Sequence, residues 1–262
     1  MIILRSLLYL LLIATYTPPY VLVLLCFFWL PVRQRRALAM PWVDATLWLI
    51  RHVLGIEHRL LGLEHLPDGP CVVLCKHQSA WETIALQRLI PNGVYIYKRE
   101  LHWLPFFGWA LMLMPFVAID RSAGRKALEQ VVKRGKARLE EGWTVIVFPE
   151  GTRVAPGAKG EYKIGGAFLA AKAGVPVVPV ALDSGECWPR NALLKRPGLV
   201  TVSIGPAIAS RGKSAAALNA EAERWIEAET RRISPHRYPE AAQTVAVELP
   251  SATRSARAPR PS

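Results

Sequence analysis

At 262 residues the chain can bury one good-sized core, or at most two small domains. Its 52% hydrophobic content and nine tryptophans exclude a disordered polymer. Lys and Arg outnumber Asp and Glu by 33 to 20, a formal +13, which suits an anionic membrane, a phosphorylated substrate or a nucleic acid. No helix-turn-helix signature, RNA-binding aromatic motif or zinc-finger spacing is present, so no nucleic acid is expected.

The first element is "LLYLLLIATYTPPYVLVLLCFFWL", Leu7 to Leu30, with no charged residue. As a straight helix it would reach roughly 36 Å at about 1.5 Å per residue, enough to cross a bilayer core. Arg5 precedes the run, and Arg33, Arg35 and Arg36 follow it, which favours a cytoplasmic side after the run. Pro18-Pro19 removes helical donors, so the segment either spans with a kink or folds as two short helices dipping into one leaflet. A cleaved signal peptide is disfavoured by the length of the run and the lack of a small-x-small site. Met40 to Leu61 then reads as a second helix, either interfacial or packed on the core.

A soluble α/β pattern follows. "CVVLC", Cys71–Cys75, reads as a buried strand with a helix beginning near Ser79; "GVYIYK" is a second short strand. The segment through "ALEQVVKRGKARLEEG" is a helix, with Ser122 as its expected cap and Gly142 as its stop. "TVIVF" is a strand, "YKIGGAFLAAKAG" a helix ending at Gly174, "VPVVPVAL" a strand and "LVTVSIG" another. Pro176 and Pro179 argue that "VPVVPVAL" starts at an edge or bends. A helix from about Ala215 to Ile233 closes the domain, and "SATRSARAPRPS" carries no apolar pattern. The alternation predicts an α/β fold with a mostly parallel sheet flanked by helices, its site at the carboxyl ends of the strands. The four cysteines are scattered; Cys71 and Cys75 lack a second pair for zinc and read as buried thiols.

The chemistry gathers at "KHQSAWE". Ser79-Ala80-Trp81-Glu82 fits a capping box, in which Glu82 reaches back to the Ser79 amide. The same spacing also lets Glu82 accept a hydrogen bond from one N–H of His77 and leave the other nitrogen free as a base. The two readings compete for the oxygens of one carboxylate. "FPEGTR", Phe148 to Arg153, sets a carboxylate, a flexible glycine and a guanidinium at a strand end, where Arg153 can clamp a phosphate or form a salt-bridged turn. "AIDR" adds Arg121, either a second anion contact or a solvated side chain.

Together these segments resemble the glycerolipid acyltransferase family, in its bacterial 1-acylglycerol-3-phosphate acyltransferase branch. "KHQSAWE" resembles the HX4D motif, and "YKRELHWLPFFGWALMLMPFVAIDR", "FPEGTR" and "VPVVPVAL" resemble the second, third and fourth blocks, in order, over Cys71 to Leu182. The resemblance implies that His77 deprotonates the free hydroxyl of a lysophosphatidic acid and that Glu82 orients His77. It implies direct attack on the thioester of acyl-CoA or acyl-carrier protein, giving phosphatidic acid without an acyl-enzyme, a metal or another cofactor. It places Arg121, Glu150, Gly151, Thr152 and Arg153 at the acceptor phosphate, adds Lys98 and Lys163 as further basic candidates, and links Pro179 to the acyl or donor pocket. It also implies a bacterial inner membrane location, with the catalytic domain facing the cytoplasm. Three positions depart from the pattern: Glu82 stands where Asp is usual, Met114 where small residues are common, and Val154 where Ser is frequent.

The expected organisation is a membrane anchor with interfacial helices over 1–61, an acyltransferase domain over 62–240 and a disordered basic tail over 241–262. "HWLPFFGWALMLMPF" is expected near the bilayer, receiving acyl chains. The alternatives are an acyltransferase acting on a lyso-ornithine lipid or a lysophospholipid with a headgroup, and a noncatalytic membrane lipid-binding protein.

Overall fold

Val72, Val73, Leu74 and Cys75 are all fully buried, because both faces of their strand are covered. In the computed structural model, described over residues 1–238, this strand sits in the middle of a seven-stranded sheet. The strands are β1 (Ile56–Leu61), β2 (Val72–Cys75), β3 (Gly93–Lys98), β4 (Val117–Ile119), β5 (Thr144–Val147), β6 (Val177–Leu182) and β7 (Gly198–Ile204). Their order is β1-β7-β6-β2-β5-β3-β4, and every neighbouring pair is parallel except β6 with β7. The tail expected over 241–262 lies outside the described residues.

The helices are α1 (Ile2–Leu25), α2 (Val32–Leu49), α3 (Trp81–Leu89), α4 (Phe107–Leu113), α5 (Arg125–Glu140), α6 (Gly165–Ala173) and α7 (Ala215–Ile233). The period of two along β2 splits the core into two layers. Val73 and Cys75 pack with Trp81 and Leu86 of α3, Tyr9 of α1 and Ile50 and Leu54 beyond α2. Val72 and Leu74 pack with Val131 of α5, Leu169 of α6 and Leu218 and Ile226 of α7.

The apolar N-terminus forms one helix that runs through Pro18 and Pro19. The chain turns over Cys26–Leu30, and α2 returns antiparallel to α1. Tyr20 donates to Leu38 O at 2.6 Å, Trp42 donates to Thr17 at 3.1 Å, and the Tyr16 hydroxyl bonds Thr46. Both ends of α1 touch the α/β domain. Ser6 bonds the backbone of Lys195 and Tyr9 packs edge-on against Trp188, while Leu24 packs with Leu113 and Met114. Two of the three arginines that follow the apolar run are used in docking. Arg33 lies over the Trp143 ring at 4.5 Å and donates to Glu141 O, and Arg36 lies over the same ring at 5.7 Å.

Three expectations are corrected. The segment Met40 to Leu61 is not one helix: a π turn ends at Leu54, Gly55 takes φ +71, and Ile56–Leu61 becomes an edge strand paired with β7. Strand β6 is interior, between β7 and β2. Its prolines are tolerated because of where the bonds fall: Val180 O serves the β2 side through Lys76 N, so Pro179 turns to the β7 side. There its carbonyl accepts from Gly205 N just past the regular pairing with β7, so the missing N–H costs the ladder one bond at its end. Helix α5 starts at Arg125 rather than after a Ser122 cap; Ser122 instead donates to Asp120, which caps a short turn before the helix. The short strand β4, which runs into the "AIDR" segment, is an additional element.

Trp143 is 2% exposed and joins the helical hairpin to the domain. Trp143→Ala is expected to cost about 3–5 kcal/mol in chemical denaturation. A loss below about 1 kcal/mol would contradict this role.

Candidate active site

The alternation of β2 continues past its end and sorts the next two side chains to opposite layers. Lys76 falls toward α7 and is fully buried; His77 falls toward α3, with 13% of its side chain exposed. On that side the His77 ring stacks on Phe148 at 4.0 Å and an interplanar angle of 18°. Phe148 follows the adjacent strand β5, so parallel pairing of β2 and β5 places the two motif corners side by side.

The corners are also joined through backbone. His77 N donates to Glu150 Oε2 at 2.8 Å, and Val154 N donates to His77 O at 2.8 Å. Glu82, in the first turn of α3, is fully buried. Its Oε1 accepts from His77 Nδ1 at 2.8 Å and from the amides of Gln78 and Ser79 at 2.7 Å each. The capping and orienting readings are therefore compatible: one oxygen serves both. Ser79 Oγ completes the cap by accepting from Trp81 N at 2.8 Å. The second oxygen, Oε2, accepts from Ser184 Oγ at 2.6 Å.

Burial alone would raise the Glu82 carboxyl, but the bond and charge of His77, the Ser184 hydroxyl and the Ser79 amide hold it below the usual carboxylate range. An ionised carboxylate only accepts, so the imidazole proton sits on Nδ1. Nε2 then carries the free lone pair, and it makes no hydrogen bond to the described residues.

Behind the corner lies a buried ionic cluster. Lys76 Nζ is 2.8 Å from Glu150 Oε1 and 2.7 Å from Glu227 Oε1 of α7, and Tyr162 donates to the same Glu227 oxygen at 2.9 Å. Burial opposes the charge on Lys76, but the two carboxylates outweigh it and raise its ammonium above the ordinary range. Burial pushes the Glu150 carboxyl up more than Lys76 and the His77 amide pull it down. Glu150 thus spends its carboxylate on Lys76 and the His77 backbone.

His77 lines a cleft of about 440 Å³, whose apolar wall includes Tyr95, Leu104, Phe107, Leu111 and Phe116. A second cleft of about 540 Å³, walled by Ile119, Leu128, Val131 and Ile164, meets the first at Lys98, Arg121, Phe148, Gly151 and Thr152. Cations gather at this junction from the carboxyl ends of three strands and the entry to α6. Lys98 ends β3, Arg121 follows β4, Arg153 follows β5 and Lys163 precedes α6. None of these four makes a salt bridge to a carboxylate among the described residues, though the charge of Glu100 acts on Arg121. Gly151 has φ +67, a left-handed conformation that favours glycine, and Arg121 and Lys163 flank it at ordinary contact, each 3.6 Å from where a Cβ would stand. Arg121 Nη1 bonds Gly151 O.

The structure thus brings His77, Glu82, Lys98, Arg121, Glu150, Gly151, Thr152, Arg153 and Lys163 together. Pro179 stands apart: it is buried in β6 opposite Leu74 and lines neither cleft. Three participants carried no sequence signal. Glu227 is one of several charges on an amphipathic helix, Ser184 is a turn residue after a strand, and Arg190, which donates to Arg153 O at 3.1 Å, lies in a loop.

A family model described as Acyltransferase matches residues 58–183. The 1-acyl-sn-glycerol-3-phosphate acyltransferase of Pseudomonas aeruginosa is 44% identical over 210 residues, covering 79% of this chain and 82% of that protein. A chloroplastic 1-acyl-sn-glycerol-3-phosphate acyltransferase of Brassica napus is 39% identical over 134 residues, 50% of this chain and 39% of that protein. The crystal structure of the 1-acyl-sn-glycerophosphate (LPA) acyltransferase PlsC from Thermotoga maritima superposes with a TM-score of 0.74 at 26% identity, covering 89% of this chain and 96% of that one. The shared sequence, fold and connectivity show that this chain is an acyltransferase belonging to the 1-acyl-sn-glycerol-3-phosphate acyltransferase family.

Proposed function

We propose that the chain transfers a fatty acyl group from acyl-CoA or acyl-carrier protein to the free hydroxyl of a 1-acyl-glycerol-3-phosphate, giving phosphatidic acid. The observation that carries this reading is the open Nε2 of His77 beside four cations that make no salt bridge among the described residues. A lysolipid with a terminal phosphate offers the matching pair of groups, a hydroxyl for the base and a dianion for the cations. Membership of an acyltransferase family sets aside the noncatalytic lipid-binding alternative.

In the mechanism, Nε2 of His77 takes the hydroxyl proton as the acceptor oxygen attacks the thioester carbonyl. Glu82 stabilises the imidazolium that forms. The tetrahedral intermediate collapses, the carbon–sulfur bond breaks, and the leaving thiolate takes the proton from Nε2. One ester and one thiol result, and no group on the enzyme is acylated. Arg153, Arg121, Lys98 and Lys163 hold the acceptor phosphate, while the apolar walls of the clefts receive acyl chains.

The exposed apolar residues favour a membrane site for this reaction. Ile3, Leu4, Leu7, Leu11, Leu22 and Val23 of α1 face outward, as do Trp103, Leu104 and Phe107 near the His77 cleft. Contact of both ends of α1 with the α/β domain supports a hairpin embedded in one leaflet over a helix crossing the bilayer. The reading places the domain on the cytoplasmic face of a bacterial inner membrane, where both thioester donors are soluble.

The test is phosphatidic acid formation by the detergent-solubilised full chain, with lysophosphatidic acid and each donor in separate reactions. Product from either donor is expected; none from folded protein would reject this acceptor and turn the search to lysolipids with other headgroups. His77→Ala is expected to lower turnover about 10²–10⁴-fold with the fold retained, and near-normal turnover would remove the base from the mechanism. Arg153→Ala should act mainly on acceptor KM, raising it roughly tenfold to a hundredfold, as for loss of a charged hydrogen bond. An unchanged acceptor KM would show that the phosphate lies elsewhere.

A further inference from the structure

The glutamate at position 82 is one methylene longer than the aspartate of the HX4D pattern, and the extra reach has a visible partner. Oε1 is committed to His77, Gln78 and Ser79. Oε2 receives one hydrogen bond among the described residues, from Ser184 Oγ at 2.6 Å. Both side chains are fully buried, so no solvent replaces that donor.

Ser184 is itself held firmly. It begins a short turn, Ser184–Glu186, directly after β6. Asp183 Oδ1 accepts from Thr201 N of β7 at 2.7 Å, and Trp188 N donates to Ser184 O at 2.9 Å. The next residue reaches the same corner by a second route: Gly185 N donates to Gln78 Oε1 at 3.1 Å. A Cβ on Gly185 would stand 2.8 Å from Pro156 and 3.1 Å from Gln78, so the turn is packed closely against the corner. Thus the turn after β6 grips the residues that carry the base at two points, from 102 residues away in the chain.

We propose that Ser184 is a positioning residue for acyl transfer, locking the longer arm of Glu82 so that Oε1 directs the His77 ring. The inference rests on the reading of His77 as the base. Without the hydroxyl, Oε2 is a buried charged oxygen lacking a donor, and the carboxylate turns to share the donors of Oε1. The bond to Nδ1 then loses its direction, and the base loses its aim.

The test compares wild type, Ser184→Ala, Glu82→Asp and the double variant, all as full chains in detergent with lysophosphatidic acid and a thioester donor. Ser184→Ala is expected to lower kcat about tenfold to a hundredfold, the scale of a misplacement near 1 Å. Acceptor KM should stay within about twofold, because the phosphate contacts are untouched. In the Glu82→Asp background the shorter arm no longer uses the serine, so adding Ser184→Ala should change kcat less than about threefold. Independent multiplication of the two effects, or a Ser184→Ala kcat within about twofold of wild type, would overturn the proposal. Hydrogen exchange at the Gln78 and Ser79 amides reads the same lock without turnover. Faster exchange in Ser184→Ala is expected; unchanged exchange overturns the proposal. If wild type makes no phosphatidic acid, that result rejects the acceptor assignment, and the exchange measurement still decides the role of Ser184.

Discussion

A buried carboxylate that accepts four hydrogen bonds organises the site of this protein. An ionised group with no water around it is costly unless donors surround it, and Glu82 has two backbone amides, an imidazole and a hydroxyl. Each donor comes from a different structural need. The amides belong to the corner between β2 and α3, the imidazole is the proposed base, and the hydroxyl belongs to the turn after β6. Satisfying the charge therefore fixes three pieces of backbone and one ring orientation together.

The opposite layer holds a counterpart. Lys76, next to His77, is shared between Glu150 and Glu227, with Tyr162 bonded to the latter. Here one ammonium serves two carboxylates, so the cluster draws α7, β2 and the loop after β5 to a single point. Glu150 links the two systems, since its other oxygen accepts the His77 amide. The base is thus fixed by its ring through Glu82 and by its backbone through Glu150. The cations proposed to face substrate make no salt bridge among the described residues. Charges that build the corner are paired and buried, and those at the cleft junction stay available.

The pattern of strands and helices was largely legible because it rests on local periodicity. The runs that became β2, β3, β5 and β7 are apolar and short, and α7 carries a strong helical stripe bounded by Ser214 and Ser234. What escaped depends on distant partners. Ile56–Leu61 reads as the end of a helix until Gly55 turns the chain and β7 offers an edge. Pro179 argues against an interior strand until it is seen to stand at the end of the regular pairing with β7. In the site, the residues within quoted motifs were visible, whereas Ser184 and Glu227 act across 102 and 151 residues. The competition between cap and base orientation also had no local answer. It is resolved by the convergence of three donors on one oxygen, a property of the folded corner.

The most direct measurement is the tautomer of the His77 ring, read from ¹⁵N and ¹H shifts of histidine-labelled protein above the titration range of the ring, with His77 assigned by its loss in His77→Ala. The account predicts a proton on Nδ1, a bare Nε2, and a change in that signature in Glu82→Gln. A proton on Nε2, or a ring indifferent to Glu82, would contradict the orientation on which the mechanism depends.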